Sequence, residues 1–133
     1  MSVFVDTSGF YAFVHSADNR HRDALEALEG LRAQREQLVT SSYVLAETMG
    51  LIQHRLGLGL VERFMDRVAA VVDIIYIAQR HQQAGWELMR RVSARHFTIV
   101  DATTVVMADE LGISRCLAFD PELARQGLRL PPW

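Results

Sequence analysis

Val3-Phe4-Val5-Asp6-Thr7-Ser8-Gly9, at the start of the chain, carries the reading of the fold: three apolar residues run without alternation into an aspartate, then into hydroxylated and small residues. An apolar run with no polar interruption is the pattern of a strand covered on both faces, and the residues after it suit a turn into a helix. The same phrase recurs. Leu38-Val39-Thr40 and Val71-Val72-Asp73-Ile74-Ile75-Tyr76-Ile77 read as strands, and two more runs end in aspartate, Phe97-Thr98-Ile99-Val100 at Asp101 and Cys116-Leu117-Ala118-Phe119 at Asp120.

Helical periodicity fills the intervals. Asp18-Asn19 can cap a helix from Arg20 to about Arg35, on which Ala24, Leu25, Leu28 and Leu31 fall near one face. Ser41 or Ser42 caps the helix carrying Val44, Leu45, Thr48, Ile52 and Leu56, which Gly57-Leu58-Gly59 breaks. Further helices are expected from Leu60 to Ala70, from Gln79 to Ser93, from Ala102 to Leu111 with Gly112 as its stop, and after Pro121. Strands of continuous apolar character alternating with helices predict an α/β fold with a central, mainly parallel sheet covered on both faces.

A chain of 133 residues, half of them apolar, can bury a substantial core as one domain, residues 1–133. It contains no run of about 18 apolar residues to span a bilayer and no basic, apolar leader at its start, so the expectation is a cytoplasmic protein. Its one cysteine, Cys116, lies in an apolar stretch and reads as a small buried hydrophobe. A net charge of −2 does not advertise a nucleic-acid binder, although an acidic metal site lowers net charge while its cations reverse the local sign. All the fixed positive charges are arginines.

Asp6, Asp101 and Asp120 at the ends of three expected strands form the informative pattern. In an open parallel sheet ligands bind outside the carboxyl ends of the strands, so the three can share a cleft, and Glu47, early in the helix after Leu38-Val39-Thr40, falls near the same edge. Taken singly, each aspartate is as well explained as a helix cap. Together the four repel unless protonated or bound to a cation, and hard oxygen donors without a convergent histidine or thiolate suit Mg2+ or Mn2+. Such a site hydrolyses phosphodiesters with water as the nucleophile. Thr7 and Ser8, which follow Asp6, add hydroxyls that can orient its carboxylate or a metal-bound water.

In order and spacing, Val3-Phe4-Val5-Asp6-Thr7-Ser8, Ala46-Glu47, Ile99-Val100-Asp101-Ala102 and Phe119-Asp120 resemble the PIN-domain family, and its VapC-type toxins above all. The resemblance covers essentially the whole chain. It implies a three-layer α/β/α nuclease domain acting on RNA with one or two Mg2+ or Mn2+ ions, inhibited by a cognate antitoxin. Asp6 and Asp101 match the family's core metal ligands, Glu47 its helical acidic residue, and Asp120 its more variable fourth. Many relatives carry a threonine or serine two residues before that last aspartate and a phenylalanine three after it; Ala118 and Leu123 stand there.

Arg90, Arg91 and Arg95, with His96, form a basic cluster near a helix end that can contact RNA, and Arg20-His21-Arg22 form a second that sits less favourably at a helix start. The histidines show no metal-ligand spacing, Asp109-Glu110 is expected in solvent, and Tyr43, Tyr76 and Trp86 read as core or interface residues. An apolar helix face offers a homodimer interface. Two other functions begin with a similar strand. A haloacid-dehalogenase-like phosphatase needs a second aspartate where Ser8 stands, and a receiver-like or non-catalytic PIN-like binding module is opposed by the missing lysine or by the intact acidic set.

Overall fold

β1 (Ser2–Val5) occupies an interior position of the sheet, as its sequence requires: consecutive side chains point to opposite faces, and Val3, Phe4 and Val5 are all sealed from solvent. Both faces are therefore covered. The computed structural model describes residues 1–133, the side chain of Ala69 excepted. β1 pairs in parallel with β2 (Gln37–Ser41) on one side and β4 (Cys116–Leu117) on the other, and β2 pairs in parallel with β3 (Val72–Ile75). The order is β3-β2-β1-β4.

The helices are α1 (Thr7–Val14), α2 (His21–Ala33), α3 (Ser42–Leu56), α4 (Leu58–Val71), α5 (Gln79–Val92), α6 (Ile99–Leu111) and α7 (Pro121–Arg125). α1 packs on α2 and α3, α3 on α4, and α5 on α6, which completes the three-layer arrangement. Local chemistry sets several boundaries. The Ser41 hydroxyl accepts from the Val44 amide at 3.1 Å and starts α3; Gly57, at φ 92°, ends it in a conformation that side chains resist. The core joins both ends of the chain, from Val3 to Leu128, and includes an edge-on contact of Phe10 with Phe64, ring centroids 5.2 Å apart.

Several expectations need correction. Phe97-Thr98-Ile99-Val100 is not a strand: Thr98 caps α6, its hydroxyl accepting from the Asp101 amide at 3.2 Å while the Asp101 carboxylate accepts from the Thr98 amide at 2.9 Å. That reciprocal box satisfies two amides which a lone β-branched run cannot. α1 begins directly at Thr7 with no intervening turn, and Asp6 is its cap. Asp18 does not cap α2 itself; its carboxylate accepts from the amide of Arg20, the N-cap residue. Of the two readings for Tyr76 and Trp86, core or interface, their exposure of 75% and 48% removes the core one.

Glu110 is exposed, as expected, yet it is paired with His81. His81 is buried, and its Nδ1 accepts from the Ala78 amide at 3.0 Å, which leaves the Nε2 proton for the Glu110 carboxylate at 2.6 Å. Arg80 donates to the other oxygen of Glu110 at 2.9 Å. These bonds tie the start of α5 to the end of α6 and hold the helix pair beside the sheet.

Candidate active site

The strand order reverses at β1, with β2 to one side and β4, reached after α5 and α6, to the other. This switch point opens a crevice at the carboxyl ends of the strands. A cleft of about 390 Å³ lies there, and Asp6, Glu47, Asp101 and Asp120 all line it. Asp6 directly follows β1 and Glu47 stands on α3 after β2. Asp120 caps α7 three residues beyond the end of β4, its Oδ1 accepting from the Glu122 amide at 3.0 Å. Asp101 arrives by another route, from the first turn of α6 rather than from a strand end.

Asp6 and Asp101 are each held through one carboxylate oxygen. Asp6 is 4% exposed; its Oδ2 accepts from the Ser8 amide at 3.3 Å and the Ser8 hydroxyl at 2.9 Å, whereas its Oδ1 is buried without a partner. Burial pushes Asp6 up to about 6 against the Ser8 hydrogen bonds, and the nearby Glu47 charge adds to the rise. Asp101 is also buried, and its Oδ2 accepts from the amide and hydroxyl of Thr98. Burial raises it to about 6 as well, with Asp6 and Asp120 contributing repulsion. Glu47 is raised by partial desolvation, opposed by the Thr7 hydroxyl and reinforced by Asp101 and Asp120.

The Thr7 hydroxyl lies 3.5 Å from the Val44 carbonyl and stands beside Glu47, whose carboxyl it lowers against the rise from burial. The Thr48 hydroxyl lies 3.3 Å from it below. Ser8 orients Asp6 as the sequence suggested, and it has a second role that the sequence did not show. While donating to Asp6, its hydroxyl accepts from the Phe119 amide at 3.0 Å, so it ties the end of β1 to the segment that carries Asp120. The bond to Phe119 has no local signal in the sequence because its partners lie 111 residues apart.

Four repelling carboxylates, one with a buried unsatisfied oxygen, are arranged for a cation, and an all-oxygen donor set fits Mg2+ or Mn2+. Among the described residues no three histidine, cysteine, aspartate or glutamate side chains are drawn together closely enough to hold a metal ion by themselves. Cys116 lies behind the site, fully buried, and burial with the charges of Asp6 and Asp101 holds its thiol well above its usual range, so it is no nucleophile. Arg90, Arg91 and Arg95 do not line the cleft; Arg90 lies over the Trp86 ring and pairs with Glu87. Arg20 and His96 do line it.

The PIN domain family pattern matches residues 3–127. The chain is 32% identical over 127 residues to the 23S rRNA-specific endonuclease VapC20 of Mycobacterium tuberculosis, covering 94% of each protein. The crystal structure of that protein, described as a sarcin-ricin loop cleaving toxin, superposes with a TM-score of 0.85 over 96% of this chain and 97% of that one. Two structures at 17% identity share the fold: VapBC2 from Rickettsia felis bound to a promoter DNA fragment, TM-score 0.70 over 100% and 99% of the two chains, and PAE2754 from Pyrobaculum aerophilum, 0.68 over 98% and 89%. Sequence pattern, architecture and the acidic cleft at the switch point agree: the chain belongs to the PIN-domain family and is similar to its VapC-type toxins along nearly its full length.

Proposed function

We propose that residues 1–133 act as a single divalent-metal-dependent endoribonuclease domain, the toxin of a toxin-antitoxin pair, working in the cytoplasm on RNA. The observation that carries this reading is the convergence of Asp6, Glu47, Asp101 and Asp120 on one cleft, with Asp6 Oδ1 buried and unpartnered. Among the described residues no helix is long and apolar enough to cross a membrane. The first RNA to test is 23S ribosomal RNA, because the relative at 32% identity is a 23S rRNA-specific endonuclease.

In this reading Asp6, Asp101, Glu47 and Asp120 hold Mg2+, with Mn2+ as a substitute. When bound, the ion supplies Lewis-acid polarisation of the scissile phosphate and offsets the charge of the departing oxygen. The chain itself supplies placement. Ser8 and Thr98 each fix one oxygen of Asp6 and Asp101 and leave the other free for the cleft. Thr7 orients Glu47. With no side chain placed as a covalent nucleophile, water attacks phosphorus and the products leave without a covalent enzyme intermediate.

An antitoxin fits an apolar groove of about 670 Å³ on another face, walled by Phe13, Leu28, Leu60, Phe64 and Val71 and edged by Arg32 and Arg67. Trp86 and Leu111, exposed on α5 and α6, are the apolar surface available to a homodimer.

The test is cleavage of purified ribosomes and of naked ribosomal RNA by the antitoxin-free protein with Mg2+, beside an EDTA control. Discrete cuts that EDTA abolishes are expected; intact RNA with folded, Mg2+-loaded protein rejects the reading, and dependence on zinc rejects the ligand assignment. Asp120→Asn is expected to lose about 10- to 100-fold in kcat/KM, less than the same change at Asp6 or Asp101, because each factor of ten is ~1.4 kcal/mol and Asp120 is the more exposed ligand whose cap role asparagine keeps. A loss at Asp120 exceeding that at Asp6 contradicts this ranking.

A further inference from the structure

Among the residues lining the acidic cleft, Arg20 is the one arginine, and the four carboxylates do not account for its position. It stands at the N-cap of α2, with its backbone amide fixed by Asp18 at 2.8 Å. Its guanidinium carbon lies 5.6 Å from the centroid of the Phe119 ring. Phe119 precedes Asp120, and its amide is tethered through the Ser8 hydroxyl to Asp6. A chain of direct contacts, Asp6 to Ser8 to Phe119 to Arg20, therefore sets a planar cation at a defined place on the rim.

Among the described residues the one charged partner of the Arg20 head is Asp23, at 3.2 Å, in a pair whose side chains are 56% and 50% exposed. Solvent screens such a pair, so exchanging it for a phosphate costs little. Asp18 lines the cleft with the four carboxylates, so an RNA strand entering it meets five acidic side chains, and this guanidinium is the fixed positive charge among the lining residues. Arginine's rigid fork matches phosphate oxygens, and the aromatic face under it keeps it extended. His96 lines the same cleft from the segment before Thr98.

Resting on the ribonuclease reading, we propose that Arg20, seated on Phe119, anchors a backbone phosphate of the RNA next to the scissile one and sets the register of the strand over the carboxylates. It is a substrate-positioning residue. The Arg90, Arg91 and Arg95 cluster lies outside the cleft and does not share this role.

The test is equilibrium binding of a mixed-sequence, single-stranded RNA of about 12 nucleotides, followed by fluorescence anisotropy from 50 to 200 mM salt with Ca2+ replacing Mg2+ to prevent cutting. Arg20→Ala is expected to weaken Kd about tenfold and to lower the slope of log K against log salt by about 0.7, the share of one phosphate contact on a single strand. Arg20→Lys keeps the slope with weaker binding. Arg22→Ala removes an equal charge from a side chain that does not line the cleft, and is expected to change Kd by less than about twofold. In cleavage of ribosomal RNA with Mg2+, Arg20→Ala raises KM and leaves kcat within about threefold, as loss of uniform binding does.

If Arg20→Ala matches Arg22→Ala while the wild type cuts RNA, the anchor is wrong and the nuclease stands. If binding depends on Arg20 but the wild type cuts nothing, the nuclease reading fails and takes with it the placement beside a scissile phosphate, leaving Arg20 as an RNA-binding residue only. If the wild type binds no RNA at 50 mM salt, the anchor is overturned.

Discussion

Asp6→Asn is expected to abolish cleavage, by about a thousandfold or more, and at the same time to make the metal-free protein more stable at neutral pH. The activity loss follows from removing the most buried of the four carboxylates; a factor of a thousand corresponds to ~4 kcal/mol of lost transition-state stabilisation. The stability gain follows from linkage. Asp6 titrates near 3.8 in an unfolded chain and at about 6 in the folded one, chiefly because burial penalises its charge. The folded state therefore holds its proton over a pH range in which the unfolded state has lost it. Stability associated with the protonated group is complete below pH 3.8 and is lost as pH rises through about 6. Above that range the charged carboxylate destabilises the metal-free fold by on the order of 3 kcal/mol.

Asparagine carries no charge to bury and keeps the oxygen that accepts from Ser8. In urea denaturation with EDTA, the variant is expected to exceed the wild type by about 3 kcal/mol at pH 7.5, with the gap closing below pH 4. Adding Mg2+ stabilises the wild type more than the variant, because only a ligand of the native state shifts the equilibrium. A variant no more stable than wild type at pH 7.5 without metal, or one that still cuts RNA at the wild-type rate, contradicts the assigned role of Asp6.

Gly9→Ala is expected to destabilise the fold by about 3 kcal/mol or more, the upper end of what overpacking a core costs. A Cβ at Gly9 meets the Leu117 carbonyl oxygen at 2.2 Å, its carbon at 2.9 Å and the Leu117 Cγ at 3.0 Å. The obstacle is mostly backbone of β4, which cannot swing away as a flexible side chain can. The same carbonyl accepts from the Asp6 amide at 3.1 Å, so pushing α1 off β4 also disturbs the start of the active site. Gly30, inside α2, is the control: a Cβ there meets nothing within 4 Å, and Gly30→Ala is expected to stabilise by ~0.5–1 kcal/mol through helix propensity and a less flexible unfolded chain. Urea midpoints read both. Equal stability of the two variants would remove the close approach of α1 to β4 from the account.

The relation between these two sites shows how closely stability and chemistry are interleaved at the switch point. Gly9 lets α1 sit against β4, which brings the amide of Asp6 to the carbonyl of Leu117, and Ser8 then joins Asp6 to Phe119. The carboxylates gain their placement from this packing and keep a charge that the packing alone does not stabilise. The bound cation is the expected compensation.

The sequence by itself determined the α/β class, the parallel sheet and the four acidic residues, because these depend on local patterns: uninterrupted apolar strands, helical periodicity and aspartates following apolar runs. It also contained the Thr98-to-Asp101 capping box, which competes with the β-branched Ile99 and Val100 for the same stretch; the box prevails because it satisfies amides at the start of α6. Only the tertiary structure decided that these acids share a cleft, that Arg20 and not the Arg90 cluster stands at its rim, and that Gly9 must lack a side chain. Each of those facts is a contact between segments as much as 111 residues apart, as between Ser8 and Phe119, and no local propensity encodes which distant partner a side chain will meet.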